Sequence, residues 1–256
     1  LQVATYHHYK DQWANAFDLS YEDPEGNTKP CHQTTFGMSE RLLGAVVGMH
    51  GDDNGLILPP AIAPIQVVVM PIAAHADSNV EPAARALAER LSASGIRVEL
   101  DTRDVRPGVK HYDWEIKGVP IRIELGPRDL SAGKFVLTLR TGSKSEKIID
   151  EAEKSVLESL EALADDLRHR AKSLFSDKVR PFPFDNLNYD ASQESSIEDG
   201  IVYQIAFEGN DSDAEFLEKK TGLTLLGECD EEFPEERNCL ITGKATKKMQ
   251  HIARMY

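Results

Sequence analysis

Residues Pro107–Asp129 read PGVKHYDWEIKGVPIRIELGPRD. "YDWEIKG" reads as a helical turn or more closed by Gly118, and "VPIRIEL" as a strand that ends at Gly126-Pro127. Ordinary core segments hide apolar groups and scatter their charges. This one gathers planar rings (His111, Tyr112, Trp114), forked guanidiniums (Arg122, Arg128) and carboxylates (Glu115, Asp129) around one strand. Such a mixture suits reading the edges of nucleic-acid bases, where acceptors and donors alternate. Trp114 is expected to pack beneath the sheet, and Gly126 and Pro127 to shape the turn.

Working outward, "IQVVVMPI" is a continuous apolar run of strand length, as expected for a strand buried on both faces. Helical spacing of Val80, Ala83, Ala84, Leu87, Ala88 and Leu91 predicts a helix from about Asn79 to Ser94. "GIRVEL" and "KFVLTLR" are further strands. Strand, helix, strand, helix, strand, strand implies an open α/β sheet with some mixed pairing. From Ser145 to about Phe175 an apolar stripe predicts one long amphipathic helix, whose plain role is packing. "RPFPFDNLNYDASQESS" then breaks regular structure. A second small α/β unit follows: strand "GIVYQIAF", helix "DAEFLEKKTG", strand "LTLLG", an acidic turn and the tail "HIARMY".

Upstream, a strand-like opening and a polar "EDPEGN" turn precede "RLLGAVVGMHG", a helix headed by Arg41. The prolines of "LILPPAIAP" can neither continue a helix nor donate to a sheet, so this reads as an extended linker. The expected fold is α/β and α+β in three domains: residues 1–60, 61–175 and 176–256.

The 256 residues, 41% hydrophobic, can bury real cores. No run of about 18 apolar residues is present, and the first residues lack a basic region followed by an apolar stretch. The cytoplasm is the expected location. Three scattered cysteines, Cys31, Cys229 and Cys239, cannot close a disulfide framework. A net charge of −14 excludes wholesale binding to phosphate backbones, so any nucleic acid must be met locally. An acidic surface of halophilic type accounts equally well for that excess. The chain lacks an initiator Met and opens as a strand entering a loop, so it reads as the later part of something longer.

"LQVATYHH" with "HQTTFGMSERLLGAVVGMHGDDNGLILPP" resembles the last active-site segment of class II aminoacyl-tRNA synthetases, specifically the archaeal and eukaryotic type of prolyl-tRNA synthetase. The signature is Gly37, Ser39 and Arg41. The resemblance implies a remnant of the class II antiparallel catalytic sheet, with Arg41 as the catalytic, ATP-facing residue. A guanidinium supplies a planar, permanent charge for phosphate oxygens. It further implies ATP contacts from Gln2 and Thr5 and a proline pocket bordered by His7, Phe36 and Ser39. Val3 and Ala4 stand where that family usually has two glycines.

"PGVKHYDWEIKGVPIRIELGPRD" together with "TGSK" resembles the anticodon-binding domain shared by the prolyl, threonyl, glycyl and histidyl enzymes, and looks most like the prolyl version. Every proline anticodon carries two adjacent guanines. By that resemblance Glu115, Arg122, Arg128, Asp129 and Lys144 are anticodon readers and His111 is a stacking ring. Taken without it, Glu115 and Arg122 read as a surface ion pair worth about 0–1 kcal/mol.

The last segment resembles the family's C-terminal domain, which often holds zinc on four cysteines. Here "CLITGK" keeps Cys239 but has Thr242 where a second sulfur would stand, and Asp211 occupies a further ligand position beside Cys229. Two thiolates fall short of a tetrahedral site, so zinc would need Asp211, another carboxylate or His251 to complete it. Tyr256 matches the family's closing tyrosine, a docked residue or a frayed tail.

The resemblance thus implies a proline–tRNA ligase with tRNA(Pro), proline and ATP as partners, Mg2+ as cofactor and a homodimer formed through an absent N-terminal half. From these residues alone, adenylate formation is not expected. A noncatalytic tRNA-binding module is the alternative, against which Arg41 and His7 weigh. A threonyl-type enzyme is weaker, because no CxxC-like spacing exists for its catalytic zinc.

Overall fold

The computed structural model describes residues 3–187 and 196–255, with the side chain of Asp230 left aside. Two of the sequence-derived assignments, Gln2 and Tyr256, lie outside the described residues. The chain divides into two compact units, residues 2–169 and 170–256.

The first unit opens with β1 (Ala4–Lys10), α1 (Gln12–Ala16), β2 (Ser20–Glu22), β3 (Thr28–Pro30), β4 (Gln33–Met38) and α2 (Arg41–His50). β1 pairs antiparallel with β4, and β2 with β3. This segment buries little: α2 has no buried residue, and Phe36 and Met38 are 76% and 80% exposed. Its apolar faces are not covered by the described residues.

The body of the unit comprises β5 (Val67–Pro71), α3 (Val80–Ala93), β6 (Val98–Leu100), α4 (Pro107–Ile116), β7 (Ile121–Leu125), α5 (Pro127–Ser131), β8 (Lys134–Leu139), β9 (Lys144–Ile148) and α6 (Ala152–Lys178). The sheet runs β6-β5-β7-β8-β9, with β6, β5 and β7 parallel and β8 and β9 antiparallel. This is the mixed α/β sheet the apolar runs predict. β5 is buried along its whole length because α3 and α6 cover one face while Trp114 covers the other. Trp114 packs with Val68, Met70 and Val119, beneath the sheet as expected.

Two sequence expectations are corrected in this unit. Residues 145–148, expected to start the long helix, belong instead to the edge strand β9, which pairs with β8. Their alternating exposure follows the two-residue period of a strand. Residues 55–63 are extended but docked, not free. Leu56 and Leu58 donate backbone hydrogen bonds to the carbonyls of Ile116 and Gly118, Ile57 packs on Leu163 and Leu167, and Arg97 donates to the carbonyls of Pro60, Ala61 and Ala63. Asp52 accepts both terminal nitrogens of Arg140 at 3.0 and 2.6 Å. Those bonds hold its carboxyl below the usual range.

The second unit contains β10 (Val179–Pro181), β11 (Val202–Ala206), α7 (Asp211–Thr221), β12 (Thr224–Asn238) and β13 (Ala245–Ala253) in the order β10-β11-β13-β12. Asn210 caps α7 through the backbone N–H of Asp213, and Gly222 ends it in the left-handed conformation. The acidic stretch expected as a turn is instead part of the long, bulged β12. β13 pairs along it, and Lys248 stands opposite Glu232. Opposite charges across the pair offset the poor strand propensity of that acidic run. Among the described residues no helix is long and apolar enough to cross a membrane.

Candidate nucleic-acid interface

α4 is positioned by its inner face. Lys110 and Trp114, four residues apart and hence stacked on one side of the helix, both reach Asp101 at the end of β6. Trp114 Nε1 donates to Asp101 Oδ2 at 2.7 Å, and Lys110 Nζ donates to its carbonyl at 2.9 Å and lies 3.8 Å from its carboxylate. Arg103 completes the cluster with a two-pronged contact to the same carboxylate. Burial pushes the Asp101 carboxyl up, but the bonds from Arg103 and Trp114 outweigh it and hold the group well below the usual carboxylate range.

The neighbouring face of α4 carries His111 and Glu115, again four residues apart. Across the sheet Arg122 of β7, Thr138 of β8 and Lys144 of β9 stand in one register row. Cross-strand partners share a sheet face. His111 Nε2 lies 3.3 Å from Glu124 Oε1, and the same oxygen accepts from Arg122 Nε at 3.2 Å. Nε2 is buried with no hydrogen-bond partner among the described residues. Burial, then the positive charge of Arg122, pushes the His111 imidazole down, while Glu124 partly offsets them. His111 is therefore neutral near pH 7.

Glu115 is held from below. Arg140 Nε donates to its carbonyl at 3.1 Å, and Arg140 Nη1 stands 4.0 Å from its carboxylate. Glu115 and Arg122 do not pair with each other, so the surface ion-pair reading fails. They line, with Trp114, Thr138 and Arg140, a cavity of 220 Å³. Thr138 Oγ1 is buried there with no hydrogen-bond partner among the described residues. Carboxylate acceptors, guanidinium donors and an orphaned hydroxyl around a half-open cavity can complement the edge of a planar heterocycle.

The structure thus brings together His111, Glu115, Arg122 and Lys144. It places Arg128 and Asp129 on α5 instead, where Asp129 Oδ2 accepts from the Gly126 N–H at 3.0 Å and caps the helix. Among the described residues no hydrogen bond or ion pair joins those two to the other four. Sequence reading missed Glu124, Thr138 and Arg140. Arg122-x-Glu124, two residues apart on one strand face, was the available signal for the first.

In the opening segment, β1 and β4 form a ribbon in which Thr5 faces Gly37, Tyr6 faces Phe36 and His7 faces Thr35. Ser39 donates through N and Oγ to the Val3 carbonyl at 3.0 and 3.3 Å, and Arg41 begins α2 just beyond. Thr5 and His7 share one ribbon face. Phe36 lies on the other, with its ring 4.9 Å from Tyr6, so the structure does not group Phe36 with His7.

The three zinc-ligand positions are not brought together. Cys239 is buried in one cluster, where its sulfur accepts N–H bonds from Glu208 and Thr242 at 3.3 and 3.5 Å. Cys229 packs against a different cluster, its sulfur 3.3 Å from His251 Nδ1, and Asp211 opens α7. Among the described residues no group of three or more His, Cys, Asp or Glu could hold a metal ion. These residues do not fit zinc, because the two thiols serve separate cores.

Residues 66–159 match the family described as "Anticodon binding domain". Over its whole length the chain is similar to proline–tRNA ligases: 41% identical to that of Thermococcus kodakarensis, 38% to that of Methanosarcina mazei and 40% to that of Pyrococcus abyssi. It covers 54%, 53% and 54% of those proteins. The chain therefore spans about half the length of the curated relatives it matches.

Proposed function

We propose, for a chain that carries an anticodon-binding domain and is similar from end to end to the later half of prolyl-tRNA synthetases, that it reads the guanines of a proline anticodon. In this reading it serves a ligase joining proline to tRNA(Pro). What supports it above all is the convergence of His111, Glu115, Arg122 and Lys144 on one face of one sheet. Guanine offers two acceptors on its major-groove edge, which an arginine meets with two donors, and amino and imino donors on its pairing edge, which a carboxylate accepts. Arg122 takes the first role and Glu115 the second. Lys144 adds charge, and His111 stacks. Arg128 and Asp129 belong to the same reading only if the loop extends to α5.

In the ligase, the proline carboxylate attacks the α-phosphate of ATP, pyrophosphate leaves, and a terminal ribose hydroxyl of the tRNA then takes the prolyl group. This requires positioning and charge neutralisation rather than a side-chain nucleophile. Arg41, at the first turn of α2, is the residue of this chain assigned to the phosphates. Thr5 and Gln2 are assigned to the adenosine, and His7, Phe36 and Ser39 to proline. Magnesium, when bound, offsets triphosphate charge; no step here is routed through it. The homodimer and the cytoplasmic location belong to the same proposal.

Arg122→Ala is expected to weaken binding of an anticodon stem-loop carrying two adjacent guanines by about 5- to 150-fold, the equivalent of 1–3 kcal/mol, while leaving a loop without guanines almost unaffected. Fluorescence anisotropy at fixed salt measures both. Equal weakening of the two loops would refute guanine reading. Arg41→Ala, assayed by proline-dependent pyrophosphate exchange in the whole ligase, separates the enzyme from a noncatalytic module, which would tolerate it.

A further inference from the structure

Glu124 has no place in the reading above, and a carboxylate on an RNA-facing sheet is unfavourable by charge alone. Its geometry gives it a use. It lies on β7 between the buried Ile123 and Leu125, two residues from Arg122 and on the same face. Its side chain is only 15% exposed. One oxygen, Oε1, stands 3.2 Å from Arg122 Nε and 3.3 Å from His111 Nε2. The Nε contact fixes the plane of the guanidinium while its terminal nitrogens make no hydrogen bond to the described residues. An arginine held only at Nε presents both terminal nitrogens as a preset fork. Less side-chain freedom is then lost when a base arrives.

We propose that Glu124 is a positioning residue for base recognition, a carboxylate whose Oε1 aims the Arg122 fork beside the His111 ring. This rests on the anticodon reading proposed above. The remaining charged groups around His111 are Glu115 on its own helix and Lys144 on β9. Neither shares an oxygen with Arg122, so neither can replace the brace.

The sign of the effect separates this role from simple electrostatics. Glu124→Leu removes the negative charge and both acceptor oxygens, and the loss of charge alone tightens binding to every RNA. Loss of the brace instead weakens binding to the guanine loop. The decisive readout is the affinity ratio between a stem-loop with two guanines and the same loop with 7-deazaguanine, which lacks the N7 acceptor. In the unaltered chain this ratio is expected to be about tenfold. In Glu124→Leu it is expected to fall towards one, with cognate affinity about tenfold lower. Glu124→Asp keeps the charge but is too short to span both partners, and is expected to lose the ratio likewise, so a folding failure of one variant leaves the other to decide. A ratio retained in either folded variant overturns the inference, whatever happens to overall affinity. Absence of the ratio in the unaltered chain removes the anticodon reading itself, and this inference with it.

Discussion

Asp101→Asn is expected to destabilise the first unit by about 3–5 kcal/mol, the scale for removing one partner of a buried ion pair. Asp101 is 3% exposed and Lys110 4%. The amide still accepts a hydrogen bond but leaves the Lys110 ammonium buried with no counter-charge. Urea unfolding followed by circular dichroism measures the loss. The double variant with Lys110→Met is expected to recover part of it, because an apolar side chain of similar length needs no partner. The pH dependence has a definite sign. The folded carboxyl titrates below the ordinary aspartate value of 3.8. Its contribution is therefore complete above that value and is lost as pH falls through the depressed folded value. The gap between the unaltered and Asn chains is expected to be constant from pH 5 to 8 and to narrow in stronger acid. Since Lys110 and Trp114 orient the helix carrying His111 and Glu115, guanine selectivity is expected to fall in the same variant.

The second large effect is expected at Gly118. Its φ is +70°, and an added Cβ would lie 2.7 Å from Leu56 Cβ and 2.8 Å from the Leu56 carbonyl carbon and oxygen. Gly118→Ala therefore incurs both the left-handed conformation, about 1–2 kcal/mol, and a backbone displacement of overpacking scale, about 1–3 kcal/mol. A total of about 2–5 kcal/mol is expected. Gly95 provides the control: φ is +82° but nothing lies within 4 Å of the added carbon, so Gly95→Ala bears the conformational part alone. Limited proteolysis distinguishes the two further. Cleavage between residues 51 and 63 is expected to accelerate in Gly118→Ala and not in Gly95→Ala. Similar losses in both variants would show that the contact with Leu56 carries no energy.

Much of the fold was legible because hydrophobic period is a strong signal where a segment is buried. The run at Val67–Pro71 and the stripe on α3 needed no further information. What misled was charge. The acidic stretch inside β12 reads as a turn because its strand character comes from β13 across the ladder, with Lys248 opposite Glu232. Asp101 reads as an ordinary loop carboxylate until Lys110 and Trp114, stacked one turn apart on α4, are asked where their polar ends go. Residues 145–148 read as the start of the helix because Ile149 fits the helical stripe. Their pairing with β8 overrides it.

The candidate site was half legible. His111, Glu115, Arg122 and Lys144 converge because helix and strand periods both point them to one face. Arg128 and Asp129 lie beyond the end of β7, where a helical turn redirects them and the Gly126 N–H claims an Asp129 oxygen. Glu124 and Thr138 went unnoticed because, in a strand of alternating exposure, they look like ordinary polar positions.

β9 is the outer strand of its sheet, and Lys144, Glu146 and Lys147 line it. An edge built of alternating charges repels the lateral addition of a further strand from a neighbouring molecule. The charge of Lys144 therefore also disfavours self-association at the margin of the sheet, apart from the RNA contact proposed for it. Removing its charge to probe RNA contact also opens that margin, so the oligomeric state of any Lys144 variant has to be measured before its loss of RNA binding is ascribed to recognition.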